Sequence, residues 1–496
     1  MSGDFDKQRP TTLERAADPS RSPSPRVPVE RASSAFSMYV TARAIGFVSL
    51  AAFVSLHVQI IGLLGEEGVL PLAPRLARVT FADAPSLFLL AGASDEALHA
   101  VAVLGELASI ALALGVLPGL AALLAWAAYL SFVSVGWPFF PLQWDTLLCE
   151  ALVLVAAASP WDRVLVRPRA LPEPSPVARF ALVFLVCRLH IASGLVKLLS
   201  GDPRWADLSA LSYHFETQPL PNPIAPYVHA LPATALAAAT LLTLGVEIVV
   251  PLLAPLRRAR PIVLACLVGL QALITLTGNY GFFNVLSAVL CIPLLDDAQM
   301  RVPTVVVREG SPPSTAWGRA RVAILTALVA LASVDLASSL GVVLPAPIER
   351  VAASVAPLHL TSPYGLFAVM TTVRDEILIE GSDDGERWLA YDFRYKPDAP
   401  DGALPLAPLH MPRLDWMLWF AALGEPEDAG WVRALELALL EDRAPVRSLF
   451  ARAPFDHPPA YVRAVRCRYR FARGEGIWER GPSEPFGPVL RRRTVP

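Results

Sequence analysis

The chain has 496 residues, of which 54% are hydrophobic and 17% charged, with a mean hydropathy of +0.47. Soluble domains carry about 25% charged residues, so these values exclude an ordinary soluble protein and point to a multi-pass chain with the lipid bilayer as a partner. With 42 Lys plus Arg against 44 Asp plus Glu the net charge is −2, which leaves no electrostatic footprint for nucleic acid and excludes that class of partner.

Residues 1–36 are rich in Pro, Ser, Arg and Asp and hold no apolar h-region between a basic start and a small-residue cleavage site. They read as a disordered N-terminal tail, not as a signal peptide. Apolar runs then occupy roughly 42–64, 97–117, 119–136, 145–159, 180–199, 233–255, 262–278, 282–295 and 320–344, so residues 37–345 are expected to form a transmembrane bundle of about nine helices. A span needs about 20 residues to cross the hydrocarbon, so the fourth and eighth runs are short and either borrow flanking residues or are re-entrant.

Cytoplasmic loops carry the excess of basic residues. Arg26, Arg31, Arg163, Arg167, Arg169, Arg179, Arg257, Arg258, Arg260, Arg301, Arg308 and Arg319 fall on one side of the expected bundle, against Arg75, Arg78 and Arg204 on the other. This asymmetry predicts a cytoplasmic N-terminus and, with an odd number of spans, an outer or lumenal C-terminal region. The 200–232 loop is then also outside.

From about 360 to 490 the composition becomes that of a water-soluble domain. EILIEGSDDGERWLAYDFRYK reads as strand, turn and strand, with turn chemistry at Gly381–Gly385 and alternation of Leu389, Tyr391, Phe393 and Tyr395. YVRAVRCRYRF alternates Val465, Cys467, Tyr469 and Phe471 with Arg466, Arg468 and Arg470, a strand with one basic face. Between them GWVRALELALLEDR reads as an amphipathic helix. The expected fold is an α-helical multi-pass membrane bundle followed by a β-rich, sandwich-like domain with a helical insertion. There is no internal repeat and no GxSxG, HExxH, P-loop or GxGxxG motif. Of the five cysteines only Cys467 lies in a polar region, and no CxxC supports dithiol redox chemistry.

Ionisable residues inside apolar spans are costly and face the bundle interior or a water cavity. Here they are His57, Glu106, Asp145, Glu150, Arg188, His190, Lys197, Glu247 and Asp335. His190 and Lys197 are seven apart and share a helix face, while Gly194 between them allows a neighbouring helix to approach closely. The functional reading is a polar site near the outer leaflet, with His190 and Lys197 as candidates for catalysis though no catalytic residue is established; the plainer reading has Lys197 snorkel to the interface and Arg188 mark the cytoplasmic end.

The 200–232 loop is aromatic and stiffened by prolines, and a loop of that length at a membrane face is uncommon unless functional. His214 and Glu216 read as an acid and base pair, as metal ligands or as a satisfied structural pair. No third ligand is spaced for a metal, so none is expected. WPFFPLQWD (137–145) and GNYGFFN (278–284) lie at the same face, where the simplest account of their aromatics is an interfacial belt. In RLDWMLWF, Trp416, Trp419 and Phe420 stand at helical spacing and read as core or interface packing.

At these segments the chain resembles the lipase maturation factor family. SYHFETQPLPNP (212–223), following GLVKLLSGDPRWADLSAL, looks like the family's signature; NYGFFN and LLDD (294–297) are similar to a second block; EILIEG, RLDWMLWFAAL and FDHPPAYVRAVRCRYRF resemble its C-terminal domain. The match runs from about 36 to 490. The candidate binding residues within these blocks are Trp205, Tyr213, His214, Glu216, Gln218, Asn222, Asn279, Tyr280, Asn284, Arg413, Asp415 and Trp416.

The resemblance implies a membrane protein, in animals of the endoplasmic reticulum, that helps secreted lipases fold and assemble. Its partners would be partly folded exported clients, and no catalytic residue or cofactor follows from it. The Ala, Arg and Pro bias suits a bacterium with GC-rich DNA, where the membrane would be the inner one. A second, local similarity, GLVK followed by Trp and Ala-Leu, is to the horizontally transferred transmembrane domain shared with vitamin K-dependent gamma-carboxylases. It implies the alternative of a membrane-embedded enzyme using Lys197 and His190.

Overall fold

The computed structural model describes residues 33–301 and 315–492, apart from 169 and 475. Most of the expected tail, together with Arg169 and Arg308, lies outside the described residues. All nine apolar runs fall on helices. The longer ones begin with α1 (Ala35–His57), α2 (Asp95–Leu114), α3 (Pro118–Val135), α4 (Gln143–Ala158) and α5 (Pro176–Leu199). The short α6 (Ala210–Thr217) follows in the 200–232 loop, and then come α7 (Ala233–Ile248), α8 (Arg260–Thr277), α9 (Phe283–Val289) and α10 (Ala316–Ser339).

Seven of these are long and apolar enough to cross a membrane among the described residues: α1, α2, α3, α5, α7 with its 3-10 extension to Leu253, α8 and α10. The two shorter ones are those of the fourth and eighth runs. At a rise of about 1.5 Å per residue the 16 residues of α4 fall short of a hydrocarbon core about 30 Å thick.

Local chemistry sets the helix starts. Ser94 accepts a hydrogen bond from the Ala97 amide at the start of α2, and Ser175 does the same from Ala178 at the start of α5. Pro118 and Pro176 stand in the first turns of α3 and α5, where a missing N–H costs nothing. α1 packs on α2, α2 on α3 and α3 on α4 in sequence, while α5 is flanked by α4, α7 and α10.

After α10 comes α11 (Ala346–Val355), and then a sheet begins with β1 (Arg374–Ser382) and β2 (Leu389–Ala390). Two helices follow, α12 (Arg413–Ala422) and α13 (Gly430–Leu440), before β3 (Tyr461–Phe471), β4 (Trp478–Pro485) and β5 (Leu490–Arg491). The strands form one antiparallel sheet in the order β2-β1-β3-β4, with β5 also pairing β3. β1 and β3 run in register from Arg374 opposite Tyr469 to Ser382 opposite Tyr461.

The β-rich domain is therefore present, but what covers the sheet is helical. Of the expected sandwich only one sheet is found among the described residues, with α12 against β1 and α13 against β3. The expected second strand also shortens to two residues. Beyond Ala390 the chain leaves the sheet because Tyr391 and Phe393 pack their rings on Phe450, at 5.3 and 4.7 Å, and Asp392 bonds to Arg452. On β3 the expected alternation holds: Val465, Cys467 and Tyr469 are buried and Arg468 reaches across to Asp375 at 2.9 Å.

One hydrophobic core runs through both parts of the chain. Phe53, Tyr129 and Trp144 of the bundle, Trp416 and Leu418 of α12, Leu435 and Leu439 of α13, and Ile377 and Ile379 of β1 belong to the same cluster. A second, smaller cluster on the far face of the sheet holds Leu378, Val465, Cys467, Tyr469 and Trp478.

Candidate functional site

The ionisable residues of the spans are paired. His57 Nδ1 lies 2.8 Å from Glu106, and Arg188 donates both to Glu150 and to the Ser362 carbonyl. Tyr364 donates to Glu150 at 2.7 Å, Thr361 donates to Asp335, and Arg413 forks onto Asp145 at 2.7 and 2.9 Å. Lys197 donates to Glu247 at 2.8 and 3.0 Å and to the Ser193 carbonyl at 3.0 Å.

The plainer reading of the fifth span is thereby corrected. Lys197 and Arg188 are both at least nine-tenths buried, so neither snorkels nor marks a helix end. Each found a carboxylate on another helix, which is what lets a cation stay in an apolar setting. Gly194 does what its position suggested: a Cβ there would lie 2.5 Å from Ile248 and 3.0 Å from Glu247 Cβ. The missing side chain brings α7 close enough for Glu247 to reach Lys197.

Around this pair is a cavity of about 70 Å³, room for a few water-sized groups. His190, Ser193 and Lys197 of α5, Glu247 of α7, Gln271 of α8 and Asn284 of α9 line it, with Tyr280 and Phe367 closing it from the loops. His190 Nδ1 faces the Val186 carbonyl at 2.8 Å, so its hydrogen sits there and Nε2 accepts from Gln271 Nε2 at 3.2 Å. Thr275 donates to the Gln271 carbonyl and so accepts from Asn284 Nδ2 at 3.0 Å. Among the described residues Gln271 Oε1 and Asn284 Oδ1 find no donor. The chamber is small and partly open, its wall is mostly apolar through Leu189, Ile274, Phe283 and Leu366, and hydrogen bonds fix the orientation of the polar side chains that face it.

Tyr280 joins this chamber to the outer segments. Its hydroxyl donates to Gln218 Oε1 at 2.9 Å and lies 3.2 Å from His214 Nε2, and its ring meets Trp416 at 5.8 Å and Phe367 at 6.1 Å. Gln218 in turn donates to the Thr277 carbonyl at 2.8 Å. Gly278 is required for this approach, since a Cβ there would stand 2.1 Å from Gln218 Oε1. Burial, reinforced by the Lys197 ammonium, pushes the His214 ring down to about 4, and burial pushes the Tyr280 phenol up.

His214 and Glu216 do not act together. His214 turns to Tyr280, whereas Glu216 accepts from the Phe471 amide at 2.9 Å and lies 3.8 Å from His229. The acid and base pair is thus replaced by two separate anchors. Among the described residues no group of three or more His, Cys, Asp or Glu is arranged to hold a metal ion.

The remaining candidates form the joint between bundle and sheet domain. Arg413 of α12 sits 3.5 Å over the Phe140 ring and donates to the Phe139 carbonyl and to Tyr129 as well as to Asp145. Trp416 meets Trp144 edge-on at 4.7 Å and Phe139 meets Trp431 at 5.7 Å. Phe139, Phe140 and Trp144 are fully buried, so the 137–145 aromatics are a protein interface and not a membrane belt; only Trp137 is exposed. Asn279 straps the 405–407 segment through Pro405 O and Ala407 N at 2.9 and 2.8 Å.

Asp415 faces inward to accept from the Tyr395 and Lys396 amides at 2.9 Å each, with burial raising its carboxyl to about 6. Trp205 packs its ring 5.3 Å from Lys197 and donates to Phe367 O, Tyr213 packs beside it, and Asn222 holds the Thr275 carbonyl.

Three residues of the site were not singled out from the sequence. Arg374, at the start of β1, grips the 216–219 backbone through the carbonyls of Glu216, Gln218 and Pro219 at 2.5–2.9 Å. Gln271 lies in an apolar helix and Tyr364 in a Thr-Ser-Pro-Tyr-Gly loop, and neither carries a charge. An uncharged amide in a spanning helix is the signal that would have found Gln271.

The lipase maturation factor transmembrane domain matches residues 37–302, and the lipase maturation factor C-terminal domain matches residues 360–488. Lipase maturation factor 2 of Homo sapiens is 33% identical over 89% of this chain and 81% of its own length. For the Mus musculus protein of that name the figures are 32%, 92% and 84%. Lipase maturation factor 1 of Bos taurus is 30% identical, covering 92% of this chain and 89% of itself. No solved structure matches the chain.

Proposed function

This chain belongs to the lipase maturation factor family, and we propose that it is an integral membrane factor that helps exported proteins, lipases among them, to fold and assemble. The observation that carries the reading is that both family domains are present and share one core. Arg413, Trp416 and Asn279 close the joint between them, so the sheet domain is presented on the bundle as a fixed surface. A folding factor works by such a surface and needs no matched acid, base and nucleophile.

The basic asymmetry of the loops supports a cytoplasmic N-terminus with the sheet domain on the outer or lumenal side, where exported clients fold. That membrane is the endoplasmic reticulum in an animal cell and the inner membrane in a bacterium. Deleting the gene in its host and comparing exported lipases tests the reading. Lipase activity per molecule should fall and return when the full chain is restored. Unchanged amounts and activities of exported hydrolases would defeat it.

A further inference from the structure

The segment between α10 and the sheet domain holds a helix that nothing among the described residues covers. In α11 (Ala346–Val355) no residue is buried, and Val351 keeps 63% of its surface exposed. At 100° per residue, Pro347, Ile348, Val351, Ala352 and Val355 fall on one side, while Glu349, Arg350, Ala353 and Ser354 fall on the other. The loop leading into it adds Val342 and Val343, the latter 91% exposed. Such a two-sided helix of low net charge suits a boundary between apolar and aqueous phases.

Its flanks are fixed at the level of the spans. On one side α10, one of the long apolar helices, ends at Ser339, six residues before α11. On the other side the chain returns at once to the spanning helices. Thr361 bonds to Asp335 in the last turns of α10, the Ser362 carbonyl accepts from Arg188 of α5, and Tyr364 donates to Glu150 of α4. A segment that leaves and re-enters at the same helix end stays at the membrane boundary. We propose that α11 lies in the bilayer surface, with Ile348, Val351 and Val355 in the acyl region and Glu349 and Arg350 at the headgroups. The tether compensates for its short length: α10 keeps it at the surface, so binding needs only ordering of a loop and not capture from solution.

The test uses the full chain in phosphatidylcholine nanodiscs, with an environment-sensitive fluorophore on Val351→Cys and, for the opposite face, on Glu349→Cys. Signal from the native cysteines is measured on the unsubstituted chain and subtracted. The label at 351 should emit at shorter wavelength and be quenched several-fold more strongly by a nitroxide-bearing phosphatidylcholine than the label at 349. Equal, water-like emission at both positions would overturn the proposal. A blue-shifted label at 351 that lipid nitroxide fails to quench would overturn it too, since protein would then cover that face.

Discussion

The two halves of the bundle are packed to different degrees. About 44% of the apolar stretch of α2 and 67% of that of α3 is buried inside the protein, against 22% for α8 and 17% for α10. The tight half carries the sheet domain: Ser55 and Gln59 at the end of α1 hold the backbone of Met411 and Arg413, and Asp145 of α4 holds the Arg413 side chain. The loose half leaves most of its apolar surface uncovered by the described residues, and the chamber sits between it and α5. Lipid tails are as apolar as Leu, so contacts between spans gain little from apolar burial. In the loose half, polar pairs such as Lys197–Glu247 therefore carry a larger share of helix position, whereas in the tight half they add to dense packing and to a second domain.

The strongest way to break this contrast is at the joint. Arg413→Met leaves Asp145 buried without its cation, and removing one partner of a buried pair costs roughly 3–5 kcal/mol. Membrane abundance and the melting midpoint of the purified protein should both fall, and the double variant with Asp145→Leu should recover much of the loss. A single variant as stable as the native chain would show that apolar packing alone holds the joint.

A smaller effect is expected at Lys197. Lys197→Met leaves Glu247 unpaired, at a cost of about 3 kcal/mol by the same reasoning, reduced because little of α7 is packed against protein and it can shift. Adding Glu247→Leu should restore stability. The contrast between the halves is sharpened if the cost of Lys197→Met stays below that of Arg413→Met, and broken if the order is reversed.

Much of the architecture was legible in the sequence because membrane spans and alternating strands have periods of their own. The nine runs, the two short ones among them, the buried side of β3 and the close approach at Gly194 all follow from residue type and spacing. What was not legible is which apolar surface meets lipid and which meets protein. In water an apolar stripe means core, but in a membrane chain it can face either, so Phe139, Phe140 and Trp144 looked like a belt. Partners far apart in sequence were hidden for a related reason: charge alone showed that Lys197 and Asp145 needed counterions, and only the fold puts Glu247 and Arg413 beside them. Arg374 was missed because three of its partners are backbone carbonyls, which sequence does not distinguish, although Glu376, two residues on, supplies its carboxylate.

The smallest predicted effect is a pH dependence at the seam between the chamber and the outer segments. His214 falls to about 4 in the folded chain from an ordinary 6.5, through burial and the nearby Lys197. The folded state thus binds this proton less tightly than the unfolded state. The contribution is fully present above about 6.5 and is lost as pH falls toward 4. Between pH 7.5 and 6 that amounts to about 0.8 kcal/mol.

Asp415 and Glu436, raised by burial to about 6 and about 7, act in the opposite direction: their folded forms hold protons longer, which favours the folded chain as pH drops. The native protein should therefore show a shallow profile. His214→Gln, which keeps a donor toward Tyr280 but does not titrate, should make the stability ratio of pH 6 to pH 7.5 more favourable than in the native chain. Thermal midpoints of both proteins at the two pH values measure this difference directly. Parallel profiles would mean that His214 is as easily protonated in the folded chain as outside it, and that water reaches the chamber through the loose half.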